Sequence, residues 1–206
     1  MKKHILLIFS ILALSLNGMA QTAEATFRKA VDKLKSYENI EITFDYNMIN
    51  TEAGIYETME GAGFLKGEAY KLLIMGQEIT CDGTTTWTYN FDANEVMIGS
   101  VDSDEGGTPL SLINSYYDNI KAKYIDEKGS IKKIEIIPLL RDENFEKIIV
   151  TLDVSTSEIK DLHAFDKEGT EFVYIINKFV TNQKLPADFF TYKEAEHPDA
   201  EIIDMR

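Results

Sequence analysis

The sequence predicts a mainly β protein, in which short antiparallel strands form a curled sheet or open barrel of about ten or eleven strands. Two observations support this prediction. Apolar and polar residues alternate over many short segments, as they do in half-buried strands. Turn-forming clusters such as Asp82-Gly83 and Asp166 to Gly169 recur roughly every 8 to 14 residues, and connections this short join antiparallel neighbours.

The first twenty residues have the pattern of a secretory signal peptide. Lys2 and Lys3 precede an apolar run of about twelve residues, and Gly18 and Ala20 are the small residues expected before a cleavage site. The run is shorter than the roughly 20 residues needed to span a bilayer. We therefore predict a signal peptide over residues 1–20, cleavage before Gln21, and a single exported domain over residues 21–206.

An amphipathic helix opens the predicted domain. Thr22 is a suitable N-cap, and Phe27, Ala30, Val31 and Leu34 recur at helical spacing on one face. This apolar face needs an apolar surface to lie on. The next segment, from Ile40 to Met48, alternates between apolar and polar residues and predicts the first strand.

Ten further strands and one more helix follow along the chain. The strands are predicted near residues 55–65, 69–75, 78–81, 84–91, 94–101, 121–126, 130–137, 145–152, 157–165 and 170–180. Thr108-Pro109-Leu110 starts the helix, with Thr108 as its cap and Pro109 at its first position, and Ile113 and Tyr117 lie on its apolar side. The acidic stretch 102–107 before it lacks the spacing of a calcium-binding EF-hand loop and reads as a solvated loop.

The composition argues against several classes of function. The chain has 21 basic and 35 acidic residues, a net charge of -14, and loss of Lys2 and Lys3 would make it -16. A chain this acidic is poorly suited to binding nucleic acid. His163 and His197 have no partner at metal-ligand spacing, so we expect no metal site, and His163 is expected at the surface or in a cross-strand contact.

No catalytic residues and no cofactor are predicted. The sequence contains no nucleophile elbow, phosphate-binding loop or dinucleotide fingerprint. Its many carboxylates fall mostly in turns or on polar strand faces, as solubility alone would require. Cys81 is the single cysteine, and we expect it to be a small buried strand residue because a lone thiol in an oxidising compartment is safest when buried.

Several strands are apolar on both faces, which a half-solvated sheet does not require. Tyr70, Leu72 and Ile74 alternate with Leu73 and Met75. The last long strand shows the same feature, with Phe172, Tyr174 and Ile176 opposite Val173 and Ile175. Two explanations remain open at this point: protein covers both faces, or one face lines an apolar cavity for a ligand.

Three segments resemble the LolA family of periplasmic lipoprotein carriers. Residues 81–90, which read CDGTTTWTYN and are followed by Glu95-Val96, resemble the family's D-G-x-x-x-W-x-Y-N segment. Gly107 to Leu110 looks like the start of its T-P helix. Residues 188–192 and 201–204 are similar to its closing F-x-F segment and final strand. Their order and spacing extend the resemblance over nearly the whole exported chain.

The resemblance implies an incomplete, strongly curved antiparallel barrel with helices forming a lid over its apolar concave side. It also implies a periplasmic carrier, not an enzyme, that moves lipoproteins from the inner to the outer membrane by enclosing their acyl chains. The implied partners are lipoproteins, an inner-membrane complex that releases them and an outer-membrane acceptor, and the chain is expected to be a monomer. The alternative is a lipid- or lipoprotein-binding sensor on the same scaffold.

On this hypothesis the apolar residues of the strands and of the two helices form two groups. The predicted lining of the acyl cavity comprises Phe44, Leu72, Ile74, Trp87, Tyr89, Phe172 and Tyr174. The predicted underside of the lid comprises Phe27, Val31, Leu34, Leu110 and Ile113. For each of these residues a tightly packed core position is the competing interpretation, because alternation does not say which face is concave.

The sequence departs from the family pattern at one place. The resemblance implies a K-R-P segment after the second strand, with an arginine that hydrogen-bonds to the lid. Here the matching residues are Leu65-Lys66-Gly67-Glu68, without an arginine. A lysine does not offer the planar fork of a guanidinium group, so Lys66 is at most a partial substitute.

Overall fold

The computed structural model describes residues 22–101, 116–139 and 145–206. The predicted signal peptide, the acidic loop, the start of the second predicted helix, and with it Leu110 and Ile113, lie outside the described residues. Residues 116–118 are helical. Within the described ranges, no helix is both long and apolar enough to cross a membrane.

One sheet of twelve strands contains most of the described chain. The strands are β1 (Ile40–Asn50), β2 (Ile55–Lys66), β3 (Ala69–Ile74), β4 (Gln77–Cys81), β5 (Thr85–Asn90), β6 (Glu95–Ser100), β7 (Ile120–Lys128), β8 (Ile131–Pro138), β9 (Lys147–Asp153), β10 (Glu158–Phe165), β11 (Glu171–Thr181) and β12 (Glu201–Asp204). Every predicted strand is present, and its bounds differ from the prediction by about two residues at most.

The strand order is β12-β6-β5-β4-β3-β2-β1-β11-β10-β9-β8-β7. Two antiparallel meanders, β1 to β6 and β7 to β11, are joined where β1 pairs with β11. Among the described strands, the end strands β7 and β12 do not pair with each other, so the sheet is open. This is the incomplete β-barrel that the sequence predicts.

Strand β12 departs from the antiparallel pattern because it pairs in parallel with β6. A parallel partner requires a long connection. Residues 182–200 supply it by leading from β11 to the far edge of the sheet, and they include a short 3₁₀ turn (Glu194–Glu196). The chain therefore crosses one face of the sheet before it ends.

The first helix, α1 (Ala23–Lys35), begins where the sequence predicts. The Thr22 side chain accepts a hydrogen bond from the backbone N–H of Ala25 at 3.2 Å, as an N-cap does. The Glu24 carboxylate accepts a hydrogen bond from the backbone N–H of Ala122 in β7, at 2.9 Å, and this bond lowers the pKa of Glu24. The start of α1 is thereby fastened to the edge of the sheet.

The core lies between α1 and strands β7 to β10. Phe27, Ala30 and Val31 of α1 are buried in one apolar cluster with side chains from every second position of β8 and β9. The contributing sheet residues include Ile134, Ile136, Ile148, Val150 and Leu152. We call the side of the sheet that faces α1 the inner face and the opposite side the outer face.

Two single-residue predictions are confirmed. Cys81 at the end of β4 is fully buried and forms no disulfide. His163 lies on the outer face in a cross-strand contact: its Nδ1 is 2.6 Å from Glu171 Oε1, and its Nε2 is 3.4 Å from Asp161 Oδ1. About a quarter of the imidazole side chain is exposed.

Two neighbouring residues of β8 provide a test of which side of the sheet is the inner face. Ile136 on the inner face is 0% exposed, whereas Ile137 on the outer face is 43% exposed. Ile136→Ala is expected to lower the free energy of unfolding by about 2–5 kcal/mol, because it leaves a cavity beneath α1. Ile137→Ala is expected to cost less than about 1 kcal/mol. Urea denaturation measures both changes, and equal losses would contradict the assignment of the faces.

Candidate functional site

The inner face has two halves that differ in how well they are covered. Over β7 to β10, α1 buries the apolar side chains almost completely. Over β1 to β4, the side chains of Ile42, Leu72, Ile74 and Ile79 are only partly buried. The second half is therefore an apolar surface with room for further contacts, and it continues directly from the core.

The strand pairings assign the predicted lining residues to faces, because directly paired residues of adjacent strands lie on the same side of a sheet. Tyr174 pairs with Leu162 and Phe172 pairs with Ala164, both residues of the inner face. Tyr46 in turn pairs with Tyr174, which places Phe44, two residues before it on β1, on the same side. Pairing through β2 adds Leu72 and Ile74 of β3.

Five of the seven predicted lining residues therefore share the inner face: Phe44, Leu72, Ile74, Phe172 and Tyr174. The described residues of the predicted lid lie on α1, which packs against the inner face. Phe27 and Val31 are buried against the sheet, and Leu34, one turn further on, is partly buried.

Two glycines of β2 allow inner-face side chains from neighbouring strands to lie close to the β2 backbone. A Cβ atom added at Gly61 would lie only 2.6 Å from Cε2 of Phe44, and one added at Gly63 would lie 3.0 Å from a methyl carbon of Leu72. The contact at Gly61 is shorter than real carbon atoms tolerate, whereas the contact at Gly63 is tight but could be relieved by a small shift of the leucine. The Phe44 ring therefore lies directly against the backbone of β2 at Gly61.

An aromatic cluster marks the boundary between the two halves. The Tyr174 ring lies 5.8 Å from the ring of Phe44 and 5.1 Å from that of Tyr46, measured between centroids. Phe44 is 6% and Tyr46 2% exposed. Burial, with a smaller contribution from Tyr46, raises the pKa of Tyr174 to about 12, so its hydroxyl is protonated at neutral pH.

The other two predicted lining residues, Trp87 and Tyr89, lie on the outer face. They pair with Thr80 and Glu78 of β4, whereas the inner face of β4 carries Ile79 and Cys81. The seven residues thus do not form one surface. Alternation predicted that Trp87 and Tyr89 share a face, but it could not relate that face to the one that carries Leu72.

The segment that follows β11 covers Trp87 and Tyr89. The Tyr192 ring is stacked on Trp87 with a centroid distance of 6.3 Å, and the His197 ring is stacked on Tyr89 at 3.8 Å. Phe189 packs edge-on against Phe64 of β2 at 4.9 Å. The sequence pattern did not predict this covering. The aromatic residues at 189, 192 and 197 are the signal that could have indicated it, but the pattern does not identify the strand residues that they contact.

Lys66, the residue at the place of the family's arginine, lies at the end of β2. Its Nζ atom is 3.6 Å from Oε1 of Glu38, a residue of the connection between α1 and β1. Both side chains are at least half exposed, so this ion pair contributes little to stability.

The remaining chemistry of the described residues is sparse. Within the three described ranges, no group of three or more His, Cys, Asp or Glu residues is arranged to hold a metal ion. A cavity of about 10 Å³ lies between α1 and β9, lined in part by Ala30 and Leu152. This volume is that of about one water molecule, so the cavity cannot hold an acyl chain.

Comparison with known proteins identifies related sequences. The model of one family, described as "Outer membrane lipoprotein carrier protein LolA", matches residues 75–193. An outer-membrane lipoprotein carrier protein of Nitrosospira multiformis is 24% identical over 184 residues, which cover 81% of this chain and 86% of the relative. A protein of the same name from Legionella pneumophila is 25% identical over 126 residues, or 60% of this chain and 61% of the relative.

A comparison of structures supports the fold. The crystal structure of an uncharacterized conserved protein from Thermus thermophilus matches with a TM-score of 0.56 at 11% sequence identity. The match covers 86% of this chain and 96% of that chain. At this identity the likeness concerns the fold alone.

The contact between Gly61 and Phe44 generates one prediction. Gly61→Ala is expected to lower the free energy of unfolding by about 1–3 kcal/mol, because the new methyl group overlaps a rigid buried ring. Gly63→Ala should cost less, since it meets the end of a flexible leucine. In a double-mutant cycle, Gly61→Ala should lower the free energy of unfolding less in a Phe44→Leu background than in the wild type. Strictly additive losses of stability would contradict the overlap between the new methyl group and the Phe44 ring.

The stacking of Tyr192 on Trp87 generates another prediction. Trp87 is the only tryptophan, so tryptophan fluorescence reports the surroundings of this one indole, which include the Tyr192 ring. Tyr192→Ala is expected to shift its emission to longer wavelength, because one face of the indole becomes hydrated. Tyr56→Ala, which changes a tyrosine that is 66% exposed, serves as the control and should leave the emission unchanged. An unshifted spectrum in Tyr192→Ala would show that the segment does not cover Trp87 in solution.

Proposed function

The chain belongs to the LolA family of outer membrane lipoprotein carrier proteins, and on that premise we propose that it binds the acyl chains of lipoproteins on its inner face. Bound in this way, lipoproteins are carried through the periplasm from the inner to the outer membrane. Membership in a family of carriers supports a binding function over an enzymatic one. The proposal includes export of the chain by the signal peptide predicted at residues 1–20.

The single observation that supports acyl binding best is the half of the inner face over β1 to β4, where several aliphatic side chains are only partly buried. Ile42, Leu72, Ile74 and Ile79 form an apolar surface that α1 leaves partly exposed, next to a fully packed core. Each methylene group removed from water gains about 0.8 kcal/mol, so acyl chains are strongly drawn to such a surface.

The charge distribution supports a carrier that stays in water. The chain has a net charge of -14, and most of its acidic residues are partly or fully exposed. A high net charge favours solubility and opposes self-association. It fits the proposal of a monomer that takes its cargo from an inner-membrane release complex and delivers it to an outer-membrane acceptor.

Charges placed on the inner face should abolish binding. Phe44→Glu and Ile74→Glu are each expected to remove binding of a synthetic tripalmitoylated lipopeptide, because a carboxylate on this face must be desolvated by the acyl chains. Phe91→Glu, at a half-exposed aromatic residue in the turn after β5, is the matched control and should bind like the wild type. Native mass spectrometry measures the bound lipopeptide, and Trp87 emission verifies that each variant is folded.

Three outcomes distinguish the alternatives. If the wild type retains no lipopeptide, the proposed function is wrong. Retention by both glutamate variants would move the site away from the inner face. Transfer of the bound lipopeptide to acceptor vesicles separates a carrier from a sensor, since a sensor on this scaffold would bind its ligand without delivering it.

A further inference from the structure

Two tyrosine hydroxyls on the inner face have no hydrogen-bond partner among the described residues. Tyr46 and Tyr174 are directly paired across β1 and β11, and their rings are 5.1 Å apart. In the described part of the chain, no backbone or side-chain group donates a hydrogen bond to either hydroxyl or accepts one from it. Each hydroxyl is therefore free to bond water or a ligand that reaches the inner face.

The surroundings make these hydroxyls unusual. Tyr46 is only 2% exposed, and burial raises the pKa of both phenols. A phenylalanine at either position would fill the same space without presenting a hydroxyl. Neither oxygen is among the fully enclosed atoms, so both remain accessible from the inner face. Two donors in an apolar site are the kind of polar group that orients a ligand.

The neighbouring charge indicates which ligand these donors suit. Glu57 of β2 pairs with Met48, two residues from Tyr46 on the same face, and its charge contributes to the raised pKa of Tyr46. In the described ranges Glu57 forms no ion pair. An ionised carboxylate bound at the two hydroxyls would be repelled by Glu57, whereas a neutral carbonyl oxygen would not.

We propose that Tyr46 and Tyr174 form a carbonyl-binding pair, whose hydroxyls donate hydrogen bonds to the ester carbonyl oxygens that join acyl chains to a glyceryl group. The pair selects neutral acyl esters over ionised fatty acids and over bare hydrocarbon. It also sets how far an acyl chain enters, because the ester must lie at the boundary between the two halves of the inner face. This inference rests on the proposed function of the same surface.

The test uses Tyr46→Phe, Tyr174→Phe and the double variant of the purified protein. These changes keep the rings and remove only the hydroxyls, with Tyr56→Phe as the control at an exposed tyrosine. Methyl laurate, laurate and tridecane, delivered from methyl-β-cyclodextrin, compete with the neutral fluorophore N-phenyl-1-naphthylamine. They present chains of similar length as an ester, a carboxylate and a hydrocarbon.

The wild type is expected to bind methyl laurate more tightly than laurate or tridecane. Each single variant should weaken methyl laurate binding by about 3- to 10-fold, the value of one neutral hydrogen bond, and leave tridecane binding unchanged. The midpoint of urea denaturation should not fall, because neither hydroxyl has a partner to lose.

Two results would overturn the inference. Equal weakening of ester and hydrocarbon binding would show that the tyrosines act only through packing. Unchanged ester binding in the double variant would show that the hydroxyls do not contact the carbonyl groups. If instead the wild type binds none of the three competitors or the fluorophore, the proposed function itself fails, and this outcome is distinct from both.

Discussion

The pairing of β1 with β11 is the interaction on which the rest of the structure depends. It joins the two meanders, β1 to β6 and β7 to β11, into one sheet through a ladder that runs from Ile40 opposite Thr181 to Ile49 opposite Glu171. Without it, the surface under α1 and the apolar surface on β1 to β4 would belong to separate small sheets. The aromatic cluster of Phe44, Tyr46 and Tyr174 lies directly on this junction, so the candidate site is located where the two meanders meet.

Local patterns predicted the elements, and long-range register decided the site. Alternation and turn residues located strands β1 to β11, and Thr22 with the apolar spacing of Phe27 and Val31 located α1, because these signals lie within a few residues of one another. Strand β12 was expected only from the family resemblance of residues 201–204. The faces could not be predicted in the same way. At a bulge one strand has an extra residue, as β11 has opposite Thr43 and Phe44 of β1. Beyond the bulge, the alternation of that strand's side chains between the two faces is shifted by one residue. For this reason the sequence could group Trp87 with Tyr89 but could not separate them from Leu72.

The two explanations for strands that are apolar on both faces each apply to a different region. On the outer face, Phe64, Trp87 and Tyr89 are covered by Phe189, Tyr192 and His197, so there the chain covers its own sheet. On the inner face, α1 covers only the part over β7 to β10. The apolar residues of the meander β1 to β6 therefore serve two purposes: those facing outward hold the final segment and β12 in place, and several of those facing inward, such as Ile42 and Leu72, remain partly exposed.

A carrier must bind its cargo and also release it, and the two halves of the inner face divide these requirements. The half under α1 contains the cluster of buried apolar residues, so it stabilises the fold whether or not a ligand is present. The other half has partly buried aliphatic residues such as Ile42 and Leu72, so acyl binding there, as proposed, would depend on non-directional burial, which weakens gradually as a chain slides out. Hydrogen bonds from Tyr46 and Tyr174 would act differently, because a directional bond is lost within about an ångström of displacement. Such a pair would fix the position of a bound acyl group while adding little to the energy that release must overcome.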